Sequence, residues 1–235
     1  MIAVQSSQAQ MPQQPIPTNS GHLTTTTSEP TPVTHGATTN GNKPTKRHHI
    51  YMVGGTAACG KTTIAQYVAD KLNLTYIEGD DFHTKENKEK MNRGIALTDG
   101  DRWDWLENLR TQSIDAINKN HTGVVITCSA LRRRYRDVMR IAAYLHPDVD
   151  VHIVLLHAPF EVLQNRIAVR AKTTNHFFDP RLLESQFKTL ERRQDDEWDV
   201  IEVDVIGEME EVKKEALEAM KKQTELKASN STTSS

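Results

Sequence analysis

The stretch GGTAACGKTT (54–63) restricts the fold of this chain more than any other segment. Gly55 and Gly60 bracket four residues ahead of Lys61 and Thr62, which is the full G-x-x-x-x-G-K-[ST] spacing of a phosphate-binding loop. Such a loop works only where a strand delivers it to the start of a helix. Backbone N–H groups then converge on phosphate oxygens at the positive end of the helix dipole. The candidate nucleotide contacts are therefore Gly55, Thr56, Ala57, Ala58, Cys59, Gly60, Lys61, Thr62 and Thr63, with Lys61 adding a mobile charge and Thr62 offering its hydroxyl to Mg²⁺. The chain supplies the flanks that the loop needs, an apolar run HIYMVGG (49–55) before it and an amphipathic stretch (61–71) after it.

The same alternation continues downstream. Short aliphatic runs at 74–79, 123–129, 151–158 and 199–204 read as strands, and their near-continuous apolar character suits parallel strands covered on both faces. Apolar residues at three- and four-residue spacing predict helices over 61–71, 102–119, 131–145, 159–170, 180–193 and 208–222. The expected fold is α/β, a three-layer architecture with a central parallel sheet spanning 48–222. Residues 1–47 are rich in Ser, Thr, Gln and Pro and are expected to be a disordered tail, as are residues 223–235. A formal net charge of -2 argues against a chain that coats nucleic acid or an anionic membrane. Two cysteines, Cys59 and Cys128, no apolar run approaching the roughly 18 residues of a span, and no secretory signal point to free thiols and a cytosolic location.

Three nucleotide-using classes compete, and the remaining residues separate them. A GTPase needs an early D-x-x-G and a later N-K-x-D, whereas the only notable D-x-x-G runs from Asp204 to Gly207 and Asn118-Lys119-Asn120-His121 lacks the Asp. Motor and transporter ATPases end a central strand in an Asp that supports Mg²⁺, and here the candidate strands end in TCS and LHA. A small kinase remains. Its acceptor side is expected at IEGDDFH, which puts Glu78, Asp80, Asp81 and His83 at the carboxyl edge of the sheet. A carboxylate in that position can orient a hydroxyl and take its proton, while another supports the metal.

At these residues the chain resembles a family. The segments 72–109, 128–140 and 176–191 carry G-D-x-x-H, N-x-x-K-M, D-R-x-x-W-L, C-S-A-L and S-Q-F-x-T-L-E in one order, and they are similar to gluconokinases of the small P-loop kind, akin to shikimate kinase. The resemblance implies transfer of the ATP γ-phosphate to the 6-hydroxyl of D-gluconate, with Mg²⁺ and a homodimer. Carried over residue by residue, it implies Asp80 as base, Arg102 as carboxylate clamp, and Asp81, His83, Ser129, Arg132, His176 and Gln186 as acceptor contacts. Thr62 and Glu78 would serve the metal, and Lys61 and Arg170 the transferring phosphoryl group, with Arg166 at the nucleotide, and the resemblance implies a three-layer P-loop kinase fold in which 166–186 is the mobile lid. Another small-acceptor kinase of shikimate type is the alternative enzyme, and a nucleotide-binding regulator without catalysis the alternative class. The chain departs from the family at Ala58, where Gly is common, at Glu78, where Asp is frequent, at Asp104, where Pro is usual, and in a longer AKTTN turn (171–175).

Overall fold

The computed structural model describes residues 47–119, 122–173 and 179–232. Its five strands are β1 (His48–Gly55), β2 (Thr75–Ile77), β3 (Gly123–Thr127), β4 (Val149–His157) and β5 (Val200–Asp204). They form one sheet in the order β2-β3-β1-β4-β5, parallel at every pairing. The helices are α1 (Lys61–Leu72), α2 (Lys85–Asn92), α3 (Trp103–Asn118), α4 (Arg133–Leu145), α5 (Phe160–Thr173), α6 (Pro180–Thr189) and α7 (Met209–Thr232).

Side chains alternate across the central strands, and the two faces recruit different helices. Tyr51, Val53, Val125, Val154 and Leu156 pack with Ile64 and Val68 of α1 and Ala216 and Met220 of α7, together with Leu163 and Leu183 from α5 and α6. On the opposite face Ile50, Met52, Val124, Ile126, Ile153 and Leu155 meet Trp105, Leu106 and Leu109 of α3 and Tyr135 and Met139 of α4. Because β1 lies in the middle of the sheet, the loop that follows it opens at the centre of the carboxyl edge.

Three elements differ from the sequence expectation. Helix α2 (KENKEKMN) carries no apolar stripe, and among its residues only Asn87 is buried, so periodicity gives no sign of it. It forms because Thr84 caps the Asn87 N–H and most of its residues favour helix. Helix α6 ends at Thr189 rather than near 193, since Leu190 turns extended and the Glu191 N–H pairs with the Leu131 carbonyl. The expected loose tail after Lys222 is corrected by α7, which runs to Thr232. The buried stripe Val212, Ala216, Met220 continues as polar Gln223, and it is here that an apolar pattern stops being visible. Beyond it Thr224 bonds the Tyr51 hydroxyl at 2.7 Å and Lys227 donates to the Val151 carbonyl at 2.9 Å. Arg47, assigned to the N-terminal tail, is held by Asp150 at 2.8 Å. The remainder of that expected tail, residues 1–46, lies outside the described residues.

Candidate active site

The phosphate loop is a strained turn held at several points. Gly55 (φ 136°) and Gly60 (φ 91°) take conformations open to glycine, and a Cβ on Gly55 would lie 2.5 Å from the Leu156 carbonyl oxygen. Ala58 is also left-handed, with φ 62°, a conformation that costs a residue with a Cβ about 1–2 kcal/mol. The Gly55 N–H donates to the Ser129 carbonyl at 3.0 Å, Lys61 Nζ to the Thr56 carbonyl at 2.9 Å, and the Ala57 N–H to Gln186 Oε1 at 2.6 Å. Thr56 and Cys59 are buried, while Thr62 and Thr63 are exposed at the first turn of α1. Burial pushes the Cys59 thiol up, so this cysteine fills space and is not an activated thiol.

Glu78 follows β2 and faces the loop. Its carboxylate accepts from the Thr62 hydroxyl at 2.9 Å, from the Tyr76 hydroxyl at 2.6 Å and from the Thr127 hydroxyl. Half-burial opposes its ionisation, but the three donors prevail and hold its pKa below the ordinary value. A hydroxyl that gives its proton to a carboxylate keeps its lone pairs for a hard cation, so Thr62 and Glu78 fit a Mg²⁺ site with few protein ligands. The sequence reading missed Tyr76 and Thr127. Tyr76 was legible as the i−2 neighbour of Glu78 on one strand face, whereas Thr127 comes from β3 and only the sheet brings it near.

The chain then tightens into a single 3₁₀ turn, Gly79–Phe82. Gly79 donates its N–H to Thr127 Oγ1 at 2.9 Å, and any Cβ there would collide with the Thr127 carbonyl oxygen, so a side chain is excluded. Trp105 Nε1 donates to the Gly79 carbonyl at 2.7 Å, and its ring stacks on His83 at 4.0 Å. His83 is thereby buried, which drops its pKa to about 4, helped by Arg102 and Lys88. Its Nδ1 has no hydrogen-bond partner, and its Nε2 lies 3.8 Å from Asp80 Oδ1. The Asp80 side chain is 69% exposed, yet the protein walling it in raises its pKa, Lys61 opposes the rise, and the Glu78 and Asp81 charges add to it. Asp81 is exposed, with its carbonyl bound by Lys88.

Arg102, at the start of α3, makes only long contacts to neutral oxygens among the described residues, 3.3 Å to Ser129 Oγ and 3.5 Å to the Leu97 carbonyl. Its Nε is buried without a partner, and its guanidinium lies 5.6 Å from the Tyr135 ring centroid. The neighbouring arginines are engaged: Arg132 and Arg134 reach Asp99 at 3.2 and 2.6 Å, and Arg133 reaches Asp196 at 2.7 Å. Asp99, which also accepts from the Tyr135 hydroxyl, was not singled out in the sequence because one acid in a polar turn carries no pattern. On α5, Arg166 donates to the Val205 carbonyl at 2.6 Å and keeps a buried Nη1 without a partner, while Arg170 is exposed one turn further on. Gln186, expected against the acceptor, accepts a hydrogen bond on its side-chain carbonyl from the phosphate loop, because α6 passes beside Ala57. His176 lies outside the described residues.

A phosphate loop and an acidic strand end facing each other across the carboxyl edge of a parallel sheet define a P-loop kinase for a small acceptor. Residues 50–201 match the AAA domain family. A probable gluconokinase of Schizosaccharomyces pombe is 40% identical over 182 residues, covering 77% of this chain and 91% of that protein. The thermosensitive gluconokinase of Escherichia coli is 36% identical over 170 residues, 72% of this chain and 86% of its own length. The crystal structure of a gluconokinase from Sinorhizobium meliloti superposes with a TM-score of 0.67 at 33% identity, covering 79% of this chain and 98% of that one. The chain belongs to the gluconokinase family.

Proposed function

We propose that the protein moves the γ-phosphoryl group of ATP onto the 6-hydroxyl of D-gluconate, releasing 6-phospho-D-gluconate and ADP. The observation that carries the acceptor assignment is Arg102, a guanidinium with a buried, unpartnered Nε and no carboxylate partner among the described residues, beside an acidic strand end. A substrate carboxylate supplies the charge-assisted partner that this fork lacks. His83, kept neutral at pH 7 by burial, and Ser129 suit the polyol hydroxyls.

At the other end of the acceptor, Asp80 orients the 6-hydroxyl and receives its proton as the new O–P bond forms and the bond to the β-phosphate oxygen breaks. Lys61 holds phosphate charge, and Arg166 and Arg170 meet the charge that spreads over the equatorial oxygens. Thr62, oriented by Glu78, would hold Mg²⁺, which when bound offsets β- and γ-phosphate charge. The protein acts in the cytoplasm as a homodimer, for which Ile141, Tyr144 and Leu145 offer an exposed apolar face on α4.

An ADP-release assay across D-gluconate, shikimate, glucose and nucleoside monophosphates tests the reading. Gluconate is expected to support turnover well above the rest, and an equal or better rate with any other acceptor removes the assignment.

A further inference from the structure

The contact between Gln186 and the phosphate loop belongs to none of the roles above. The Ala57 N–H can only donate, so the carbonyl end of Gln186 must face it, and at 2.6 Å this is a short bond between residues 129 positions apart. Gln186 is itself fixed from behind. Its neighbour Phe187 packs edge-on against Phe160 at 5.2 Å, and Leu183, one turn earlier, is fully buried. The bond ends one residue before Ala58, the loop position that holds a left-handed conformation with a Cβ attached. Backbone in a sparsely populated region persists only where its surroundings over-determine it. Gly55 is tied to Ser129 and Thr56 to Lys61, and Gln186 restrains the remaining stretch between them.

We propose that Gln186 is a positioning residue for the nucleotide: it clamps Ala57 so that Ala58 stays left-handed and the loop N–H groups stay converged on the phosphates. It makes α6 a wall of the ATP site and leaves acceptor recognition to Arg102, Asp80, Asp81 and His83. The inference rests on the reading of 54–63 as the nucleotide site and is independent of which acceptor is phosphorylated.

The test is calorimetric titration of the full-length protein with a non-hydrolysable ATP analogue in Mg²⁺, paired with KM values for ATP and D-gluconate. Gln186→Leu is expected to weaken nucleotide binding about fivefold to tenfold, the usual consequence of removing one well-formed hydrogen bond, with the gluconate KM held within about twofold. Adding Ala58→Gly to Gln186→Leu restores most of the affinity, because glycine takes the left-handed conformation without the clamp. Gln186→Glu keeps the accepting oxygen and the fold but sets a negative charge beside the phosphates, and it weakens nucleotide binding in a salt-dependent way. The proposal is overturned by a raised gluconate KM with unchanged nucleotide affinity, by failure of Ala58→Gly to restore binding, or by wild-type affinity in Gln186→Glu. Failure of the wild-type protein to bind the analogue would instead remove the functional reading itself.

Discussion

Ending the chain at Lys222 removes the part of α7 that a hydropathy pattern does not reveal, and its cost can be worked from the contacts. The bonds of Thr224 to the Tyr51 hydroxyl and of Gln223 to the Trp198 carbonyl are neutral and contribute about 1 kcal/mol each. The Lys227 ammonium donates to the Val151 carbonyl, about 1.5–3 kcal/mol for a charged donor. It also lies 4.6 Å from the Trp198 ring centroid, a cation–π contact of about 0.5–1 kcal/mol. The backbone hydrogen bonds of the last helical turns offset the entropy of ordering them, so the loss is set by the named tertiary contacts, about 4–6 kcal/mol. For a domain of this size each kcal/mol moves the melting temperature by about 2–4 °C, so truncation lowers it by roughly 8–24 °C. Differential scanning calorimetry reads the shift directly. The contacts sit toward the amino ends of β1 and β4, away from the phosphate loop, so KM values at a permissive temperature stay near those of the intact chain. A melting temperature within about 2 °C of the full-length value would refute this account of α7.

Other consequences are open to the same kind of measurement. Asp80→Asn retains size but cannot take the hydroxyl proton, so kcat falls by roughly two to four powers of ten while nucleotide affinity is preserved; near-normal turnover would remove Asp80 as base. Arg102→Leu raises the KM for gluconate by about tenfold or more and leaves the KM for ATP alone, the split expected when one end of one substrate loses its charged partner. Stability declines on acidification from about pH 6.5, because burial holds His83 at about 4 and His152 at about 3, so that below the unfolded value the unfolded chain binds protons that the folded chain does not. Denaturant titrations between pH 4.5 and about 6.5 read these two histidines together with His49, whose pKa burial also lowers, while Glu197 and Glu202, held near 2 by their arginines, matter mainly below 4.5. His152→Phe flattens that slope if the assignment holds.

Apart from α2, the order of strands and helices was legible because its signals are local: a six-position glycine spacing, aliphatic runs, and three- and four-residue periodicity. The left-handed Ala58 was legible too, as a departure from a usual glycine. What escaped has a different physical origin. Glu78 is held by hydroxyls from β2, β3 and α1, and no spacing within one segment announces a carboxylate fed from three elements. His49 carries no signal in the sequence beyond an adjacent histidine, and only across the sheet does it meet buried His152 at 3.1 Å, with Tyr51 stacked on the same ring. Arg132, Arg133 and Arg134 follow one another in sequence, and only folding shows that Asp99 engages two of them and Asp196 the third. Gln186 was placed by its motif beside the acceptor, and its bond to Ala57 went unseen, since a motif records neighbours in sequence and not what a helix meets across the fold.

The strand order also sets a schedule for the chain as it leaves the ribosome. β1, which carries the phosphate loop, is made early, but its two neighbours are residues 123–127 and 149–157. No hairpin can form in a sheet whose pairs are all parallel, so β1 has no partner until residues 123–127 have been synthesised, and its other edge waits for 149–157. Through that interval its apolar residues Ile50, Met52 and Val53, buried in the finished fold, remain uncovered and open to off-pathway association. A nucleotide, needing the loop in its finished shape, reports by binding that β4 has arrived.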